Sequence, residues 1–508
     1  MSLVNSLIKL YTSFVYRKFI SQLKRPKDTQ LGVLKDIIRL TEGSRYREKF
    51  SKVNDLKSFQ SILPIVEYED LKDISLTTFS PLFYEKTSGS SGKKKEIPYT
   101  RELLKSFTNM FSIWVHDILS YGPLLRGKKI YFSISPQFDN ESIKIKADSG
   151  YVLGPLSWVL NYYSLVPLKI KNVSDTNSFF HIVSLFFIAS NDLEIISIWS
   201  PTFLISILAH IKENSEQLIA DLECRSYFYK GKRFKLPKMR SQKSSLLKER
   251  EIDFQKLFPS LKLISCWTSG QSKFQLGQIR KYFPDVRIQG KGLLATEAPI
   301  TLPIINSKNY MPMLGECFFE FVDAFGKVYL LDEIKEGQEY SIIISQKSGL
   351  LRYKIGDNIH VGNKFYETPS IDFIGRSDNV SDLVGEKLNE KFCEDILNEL
   401  NISGYNAIIP VNTGAIDEKP HYVILCSSEV DIVKLEKKFN ESHHYHNAIK
   451  LNQLQSFKCI SHHKMENYVN AYYVEQKGMI LGDIKHRLLL KHETDGSLIS
   501  WINKQIYL

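Results

Sequence analysis

Cysteine is scarce in this 508-residue chain: there are six, at positions 224, 266, 317, 393, 426 and 459. None forms a C-x-x-C pair and none clusters. That spacing excludes a small disulfide scaffold and a cysteine-built zinc site, and it points to a reducing, cytoplasmic setting. Long apolar runs are missing too. The strongest, Ser178 to Ile211, is interrupted by the polar "NDLE" at 191 to 194 and by Pro201, so no membrane-spanning helix is predicted. The opening "MSLVNSLIKLYTSFVYRKFISQLKRPKD" lacks the unbroken apolar stretch and small-residue cleavage site of a signal peptide. Internal repeats are absent as well.

What remains is a globular composition, 43% hydrophobic and 24% charged, which argues against long disorder. The length suggests two to four domains. A net charge of +11 favours anionic partners, whether nucleotide, nucleic acid, acidic lipid or metabolite, without choosing among them. The densest basic stretch, Arg225 to Arg250, has aromatic residues but no nucleic-acid motif, and reads as solvated surface. His443, His444 and His446, with His462 and His463, have two readings, a metal site or polar surface turns; the turns are favoured, because no cysteine or carboxylate stands beside them at ligand spacing. At the N-terminus, apolar residues at near-helical spacing are interleaved with Lys9, Arg17 and Lys18. This predicts an amphipathic helix, either packed on the body or lying on a membrane surface.

Helical periodicity dominates residues 1 to 75 and returns at 101 to 120. Short apolar runs then alternate with helical stretches ("KKIYFSIS", "LEIISIWS", "LKLISCW", "DVRIQGKGLLA"), which predicts α/β structure around a buried sheet. From 317 to 375 the runs become strands joined by tight turns, predicted antiparallel, with "LLRYKIG" and "NIHVG" as separate strands. "GRSDNVSD" (375 to 382) is polar and is a candidate hinge. Beyond it, "EKLNEKFCEDILNELN", two strands and a second helix predict a separate α+β unit of about 120 residues.

Three stretches carry chemistry. The first is "TSGSSGKKK", Thr87 to Lys95. It is not the P-loop of kinases and GTPases, which needs four residues between its glycines. Yet Gly89 and Gly92 let backbone N–H groups approach an anion, Thr87, Ser88, Ser90 and Ser91 add hydroxyl donors, and Lys93, Lys94 and Lys95 bring charge. A flexible linker is the plainer reading, although the extended "PLFY" before it favours a loop at a strand end. The second is "GLLATEAP", Gly292 to Pro299, which sets Glu297 between apolar stretches, where a carboxylate needs a partner. The third is "GLLRYKIGDNIHV", Gly349 to Val361; its Gly356-Asp357 can also be read as a hairpin turn.

In this order the three resemble the signatures of the adenylate-forming enzymes: acyl-CoA synthetases, luciferases and peptide-synthetase adenylation domains. Their versions, with "CWTSG" (266 to 270) and "VGEKL" (384 to 388), look like the Gretchen Hagen (auxin-responsive promoter) family of acyl-acid amido synthetases, in its bacterial-type form. The resemblance runs from about residue 60 to 500. It implies a large N-terminal ATP- and acyl-acid-binding domain (1–376) with mixed sheets and a β-rich subdomain. A small mobile α+β domain (377–508) would follow a hinge at Ser377 to Asn379.

It also implies roles. Residues 87 to 94 and Thr296 would bind ATP phosphates, and Lys95 takes the family's lysine position. Glu297 would hold Mg²⁺ on ATP. Tyr353, Asp357, Arg376 and Ala295 would contact AMP and its ribose. Trp267, Thr268, Ser269 and Gly270 would line the acyl pocket. In "GDIKHR", Lys485 and Arg487 match the family pattern, while Asp483 and His486 depart from it, and Lys485 is the candidate catalytic lysine of the small domain. Leu293 and Leu294 replace the family's aromatic-glycine pair. The implied reaction makes acyl-AMP and pyrophosphate from a carboxylic acid and ATP, then passes the acyl group to an amine such as an amino acid. Its rivals are thioester formation with coenzyme A and a catalytically quiet nucleotide-binding protein. The resemblance offers no nucleic-acid partner and no stable membrane insertion.

Overall fold

The computed structural model describes residues 3–50, 52–71, 76–77, 79–87, 95–121, 129–134, 152–268, 276–307, 309–376, 380–414, 418–477, 487–491 and 493–506. The periodicity before residue 75 becomes five helices: α1 (Leu3–Leu23), α2 (Pro26–Thr41), α3 (Arg45–Glu48), α4 (Leu56–Ile62) and α5 (Tyr68–Leu71). Ser44 caps α3, and a reciprocal Asp55–Ser58 capping box starts α4, so side chains satisfy first-turn N–H groups that have no helical partner. An antiparallel pair, β1 (Phe83–Thr87) and β2 (Lys95–Tyr99), leads into α6 (Arg101–Ser120), which packs on α1.

The short apolar runs then build a sheet. In chain order the elements are β3 (Lys129–Phe132), α7 (Pro155–Tyr163), α8 (Thr176–Ala189), β4 (Leu193–Ser197), α9 (Pro201–Glu213), α10 (Ser215–Glu223), β5 (Ser226–Tyr229), β6 (Lys232–Lys235), α11 (Ser241–Leu247), α12 (Phe254–Leu257), β7 (Leu263–Cys266), α13 (Leu276–Tyr282) and β8 (Arg287–Gly290). Strands β3, β4, β7 and β8 pair in that order, all parallel. Burial on both faces explains why they read as solid apolar runs. Ser200 caps α9, and Pro201 stands in its first turn, where its missing N–H costs no helical hydrogen bond. The basic stretch 225–250 keeps its cations exposed, as the solvated reading expects, apart from Lys243. It forms the β5–β6 hairpin and α11, and buries Phe234, Leu236 and Lys243. Lys243 Nζ donates to the carbonyls of Ile188 (2.9 Å) and Ser190 (2.6 Å), and burial lowers its pKa to about 8.

A ribbon of β9 (Thr301–Pro303) and β10 (Tyr310–Pro312) precedes the antiparallel region: β11 (Cys317–Val322), β12 (Val328–Leu330), β13 (Glu339–Gln346), β14 (Tyr353–Phe365) and β15 (Thr368–Arg376). Their sheet order is β12-β11-β13-β14-β15. The two strands expected at 350–361 are one: β14 runs unbroken through Gly356, and irregular register takes up the twist.

The remainder comprises β16 (Val380–Ser381), β17 (Leu388–Asn389), α14 (Glu390–Glu399), β18 (Asn406–Val411), β19 (His421–Cys426), α15 (Ile432–Phe439), α16 (His443–Lys450), β20 (Lys458–Ser461), α17 (Met465–Glu475) and α18 (Ser497–Ile506). The helix expected from 386 begins only at Glu390, because Asn389 caps it and "EKL" is pulled into a buried turn and β17. His443, His444 and His446 lie in α16 instead of a surface turn, anchored by the buried Tyr445. Apolar residues alternate along β18 and β19. One set packs with α14 to α16, the other with α17 and α18. This unit touches the parallel-sheet region: Thr176 Oγ1 donates to the Lys450 carbonyl (2.5 Å), Ser206 Oγ donates to the Asn452 carbonyl (3.4 Å), and Leu451 joins the core beneath α8 and α9. The candidate hinge residues 377–379 lie outside the described residues. Among the described residues, no helix is long and apolar enough to cross a membrane.

Candidate active site

The second and third sequence motifs meet in space, and the strand that leaves the first reaches the second. Thr87 and Lys95 face each other across β1 and β2, so the phosphate-loop candidate is bracketed by paired strands. Residues 88–94 lie outside the described residues, as do the side chains of Thr87 and Lys95. At the far end of β2, Tyr99 is fully buried, stacked on Phe83, and donates from its hydroxyl to the Thr296 carbonyl at 2.7 Å. Ala295 and Ala298 exchange backbone hydrogen bonds of 3.2 and 3.3 Å, so Thr296 and Glu297 form the tip of a tight turn flanked by the Leu294–Pro299 bridge. Glu297 is buried, and the Tyr353 hydroxyl donates to its Oε1 over a long 3.5 Å. One tyrosine thus ties the strand that leaves the first motif to the second, and another joins the second to the third.

Tyr353 opens β14, which is held from both sides. The extended chain at Val66 exchanges backbone hydrogen bonds with it, Val66 N–H to the Arg352 carbonyl (3.0 Å) and Lys354 N–H to the Val66 carbonyl (2.9 Å). Just before it, Gly349 has φ +106° and sits against the Leu76 carbonyl, 2.0 Å from where a Cβ would stand. Arg352 is also left-handed, at φ 48°. Its guanidinium makes a bidentate pair with buried Glu320, both contacts 3.0 Å, and donates to the carbonyls of Gln60 and Leu63. Sequence reasoning missed this pair; the arginine beside Tyr353 is the only local signal. Asp357 lies mid-strand, 5% exposed and opposite Arg376 in β15. The hairpin-turn reading of Gly356-Asp357 is therefore overturned. The Arg376 side chain lies outside the described residues.

The acyl-pocket candidates lie where α/β sheets usually bind ligands, beyond the carboxyl ends of parallel strands. Trp267 follows β7, and its N–H donates to the carbonyl of Trp199, beyond β4. The two half-buried indoles have centroids 6.0 Å apart. Lys291, after β8, donates to Ser197 Oγ at 2.8 Å and lies 5.0 Å from the Trp199 ring centroid. The Thr268 and Tyr310 hydroxyls hydrogen-bond at 2.9 Å directly over Gly290, where a Cβ would come within 1.8 Å of the tyrosine oxygen. Cys266 is no nucleophile here: burial pushes its thiol up to about 12. Ser269 and Gly270 lie outside the described residues. Trp199, Lys291 and Tyr310 were not singled out from sequence, although Lys291 between two glycines was a usable signal.

Comparison with known families settles the kinship. The GH3 family N-terminal domain matches residues 15–288, and the GH3 family central domain matches residues 310–376. The chain belongs to the GH3 family. A jasmonoyl–L-amino acid synthetase of Nicotiana attenuata is 24% identical over 464 residues, covering 78% of each chain. An indole-3-acetic acid-amido synthetase of Arabidopsis thaliana is 21% identical over 452 residues, covering 73% of this chain and 74% of its own. Among solved structures, a GH3.15 acyl acid amido synthetase in complex with 2,4-DB superposes with TM-score 0.64 at 16% identity, covering 98% and 96% of the two chains. A 2-hydroxyisobutyryl-CoA ligase superposes with TM-score 0.57 at 12% identity, covering 97% and 92%. Both show the mixed α/β fold of adenylate-forming enzymes.

The GH3 chain carries one more built feature beside this site. In "VGEKL", Glu386 is 1% exposed. Its carboxylate accepts the N–H groups of Leu383 (2.7 Å) and Val384 (2.8 Å) and the Tyr422 hydroxyl, whose oxygen also lies 2.8 Å from Ser381 Oγ. Burial, reinforced by nearby Asp382, pushes the Glu386 carboxyl up to about 7. Asp382 accepts from Gly385 N–H, and Gly385, at φ +111°, rests on the Trp267 ring with a notional Cβ 3.4 Å away. Lys485 lies outside the described residues.

Among the described residues no cluster of three or more histidine, cysteine or acidic side chains could hold a metal ion. The Mg²⁺ that the resemblance implies would arrive on ATP. Such an ion keeps several waters and needs only one or two carboxylates besides phosphate oxygens, and the buried Glu297 fits that demand.

Proposed function

We infer that this GH3 protein is an ATP-dependent, AMP-forming acyl-acid amido synthetase. It activates a carboxylic acid as acyl-AMP with release of pyrophosphate, then forms an amide with an amine. One observation carries the reading: Tyr353 of the third motif meets Glu297 of the second, and Tyr99, on the strand that leaves the first, holds the Thr296 turn beside it.

The first step brings two anions together, so neutralising charge is the site's main task. The loop 87–95 with Lys95 surrounds the ATP phosphates, the Thr296 hydroxyl adds a donor, and Glu297 holds Mg²⁺. The metal neutralises phosphate charge. Asp357 accepts hydrogen bonds from the ribose, with Ala295, Tyr353 and Arg376 beside the nucleotide. The acid lies along Trp267 to Gly270. The small domain, residues 377–508, turns on the hinge at 377–379 and brings Lys485 to the acyl phosphate. The acceptor is an amino acid, in keeping with the relatives' names, and the spelling of the motifs supports the bacterial-type form. Six free thiols, with Cys426 and Cys459 sulfurs 3.5 Å apart, support a cytoplasmic setting.

The test is exchange of labelled pyrophosphate into ATP, with Mg²⁺ and a broad panel of carboxylic acids. Acid-dependent exchange is expected, reduced on the order of 10²- to 10³-fold by Lys95→Ala, Glu297→Gln or Asp357→Ala. An amino-acid screen with the active acid should then yield amide and AMP. Coenzyme A consumption without amide would replace the amide reading with thioester formation. ATP binding without exchange for any acid would favour the quiet binding protein.

A further inference from the structure

The N-terminal helix has two apolar faces, and α6 covers only one. Ile8, Thr12, Tyr16, Phe19 and Leu23 are buried. Leu7, Leu10, Tyr11 and Phe14 follow the same helical spacing on the opposite side, and they are 58, 71, 52 and 76% exposed. Large apolar side chains in a contiguous exposed row mark an interaction surface, whereas scattered ones do not. The row continues into cations: Arg17 and Lys18 are exposed one turn beyond Phe14, and Lys24 and Arg25 follow, also exposed. The first 27 residues hold six Lys and Arg and no Asp or Glu. The proposed reaction uses none of these groups.

We propose that α1 seats the protein on an anionic phospholipid surface. Leu7, Leu10, Tyr11 and Phe14 enter the boundary between headgroups and acyl chains, and Arg17 and Lys18 meet lipid phosphates and carboxylates. Charge selects this occupant over a second copy of the chain. A two-fold contact sets the same patch against itself and would crowd cation against cation, whereas an acidic leaflet complements it. The convex, solvent-facing row suits insertion into a surface, and no described helix is apolar enough to span one, so the attachment is peripheral.

Co-sedimentation of the full chain with sucrose-loaded vesicles tests this, using phosphatidylcholine alone or mixed with phosphatidylserine. Binding is expected only to the mixed vesicles and should weaken as salt is raised. Leu10→Ser with Phe14→Ser, and separately Arg17→Gln with Lys18→Gln, should each cut partitioning about tenfold or more. Both pairs face solvent, so melting temperature and pyrophosphate exchange in solution should not change. The proposal is overturned by an absence of sedimentation at low salt, or by equal binding of the Leu10/Phe14 variant. A concentration-dependent dimer that Phe14→Ser abolishes would likewise overturn it in favour of self-association.

Discussion

Glu320 and Glu386 are both buried, each beside one part of the proposed site, and they are held by opposite chemistry. Glu320 faces the Arg352 guanidinium in a bidentate ion pair that locks the approach to β14. Glu386 has two backbone N–H groups and a phenol, and nearby Asp382 carries a charge of its own sign. Hydrogen bonds alone do not repay its desolvation, so its proton is held to about pH 7. The proposed nucleotide side is thus anchored by a compensated charge, and the loop that touches Trp267 by an uncompensated one. The second arrangement makes the Glu386 anchor responsive to pH.

The sharpest way to break the comparison is to remove one partner of the compensated pair. Arg352→Ala leaves Glu320 buried and unpaired, and should cost about 3–5 kcal/mol in urea unfolding. A loss under about 1 kcal/mol would mean that the pair is open to water.

Glu386→Gln comes next. The folded pKa of Glu386 is raised, so its contribution is fully favourable below the unfolded value near 4.5 and is lost as pH rises through about 7. The glutamine variant should gain on wild type across that window, on the order of 1–3 kcal/mol between pH 4.5 and pH 8. Parallel pH curves for the two proteins would remove the contrast with Glu320.

Gly385→Ala probes what that loop touches. A Cβ at φ +111° is strained, and its contact with Trp267 is tight, so a loss of about 1–2 kcal/mol and a shift in tryptophan emission are expected. Unchanged emission would show that the loop does not rest on Trp267 in solution. Tyr99→Phe should have the smallest effect on stability, about 0.5–1.5 kcal/mol. Its pyrophosphate exchange should fall more than its melting temperature suggests, because the Thr296 turn loses its tether; an equal fall in both would make Tyr99 purely structural.

Much of the fold was legible locally. The four apolar runs became the four parallel strands, residues 101–120 became α6, and Ser200-Pro201 opened α9. Local signals misled where burial overrode them. "EKLN" reads as helix but is drawn into the Glu386 turn, and Gly356 reads as a turn but lies inside a 13-residue strand whose neighbours hydrogen-bond on both sides. His443 to His446 read as surface turn, yet Tyr445 between them anchors a helix.

The amino-acid sequence by itself determined the kinds of groups available: a hydroxyl- and lysine-rich loop, a carboxylate in an apolar stretch, a Gly-Asp pair, and their order along the chain. It did so because propensity, capping and charge act over a few residues. Only the tertiary structure decided which groups meet. Tyr99 reaches Thr296 across 197 residues, Arg352 reaches the Leu63 carbonyl across 289, and Gly385 rests on Trp267 from the far side of the hinge region. Such contacts depend on how separate cores pack together, and no short window of sequence records that packing. The same packing set the proton affinity of Glu386, because desolvation belongs to the whole surrounding volume and not to the residue.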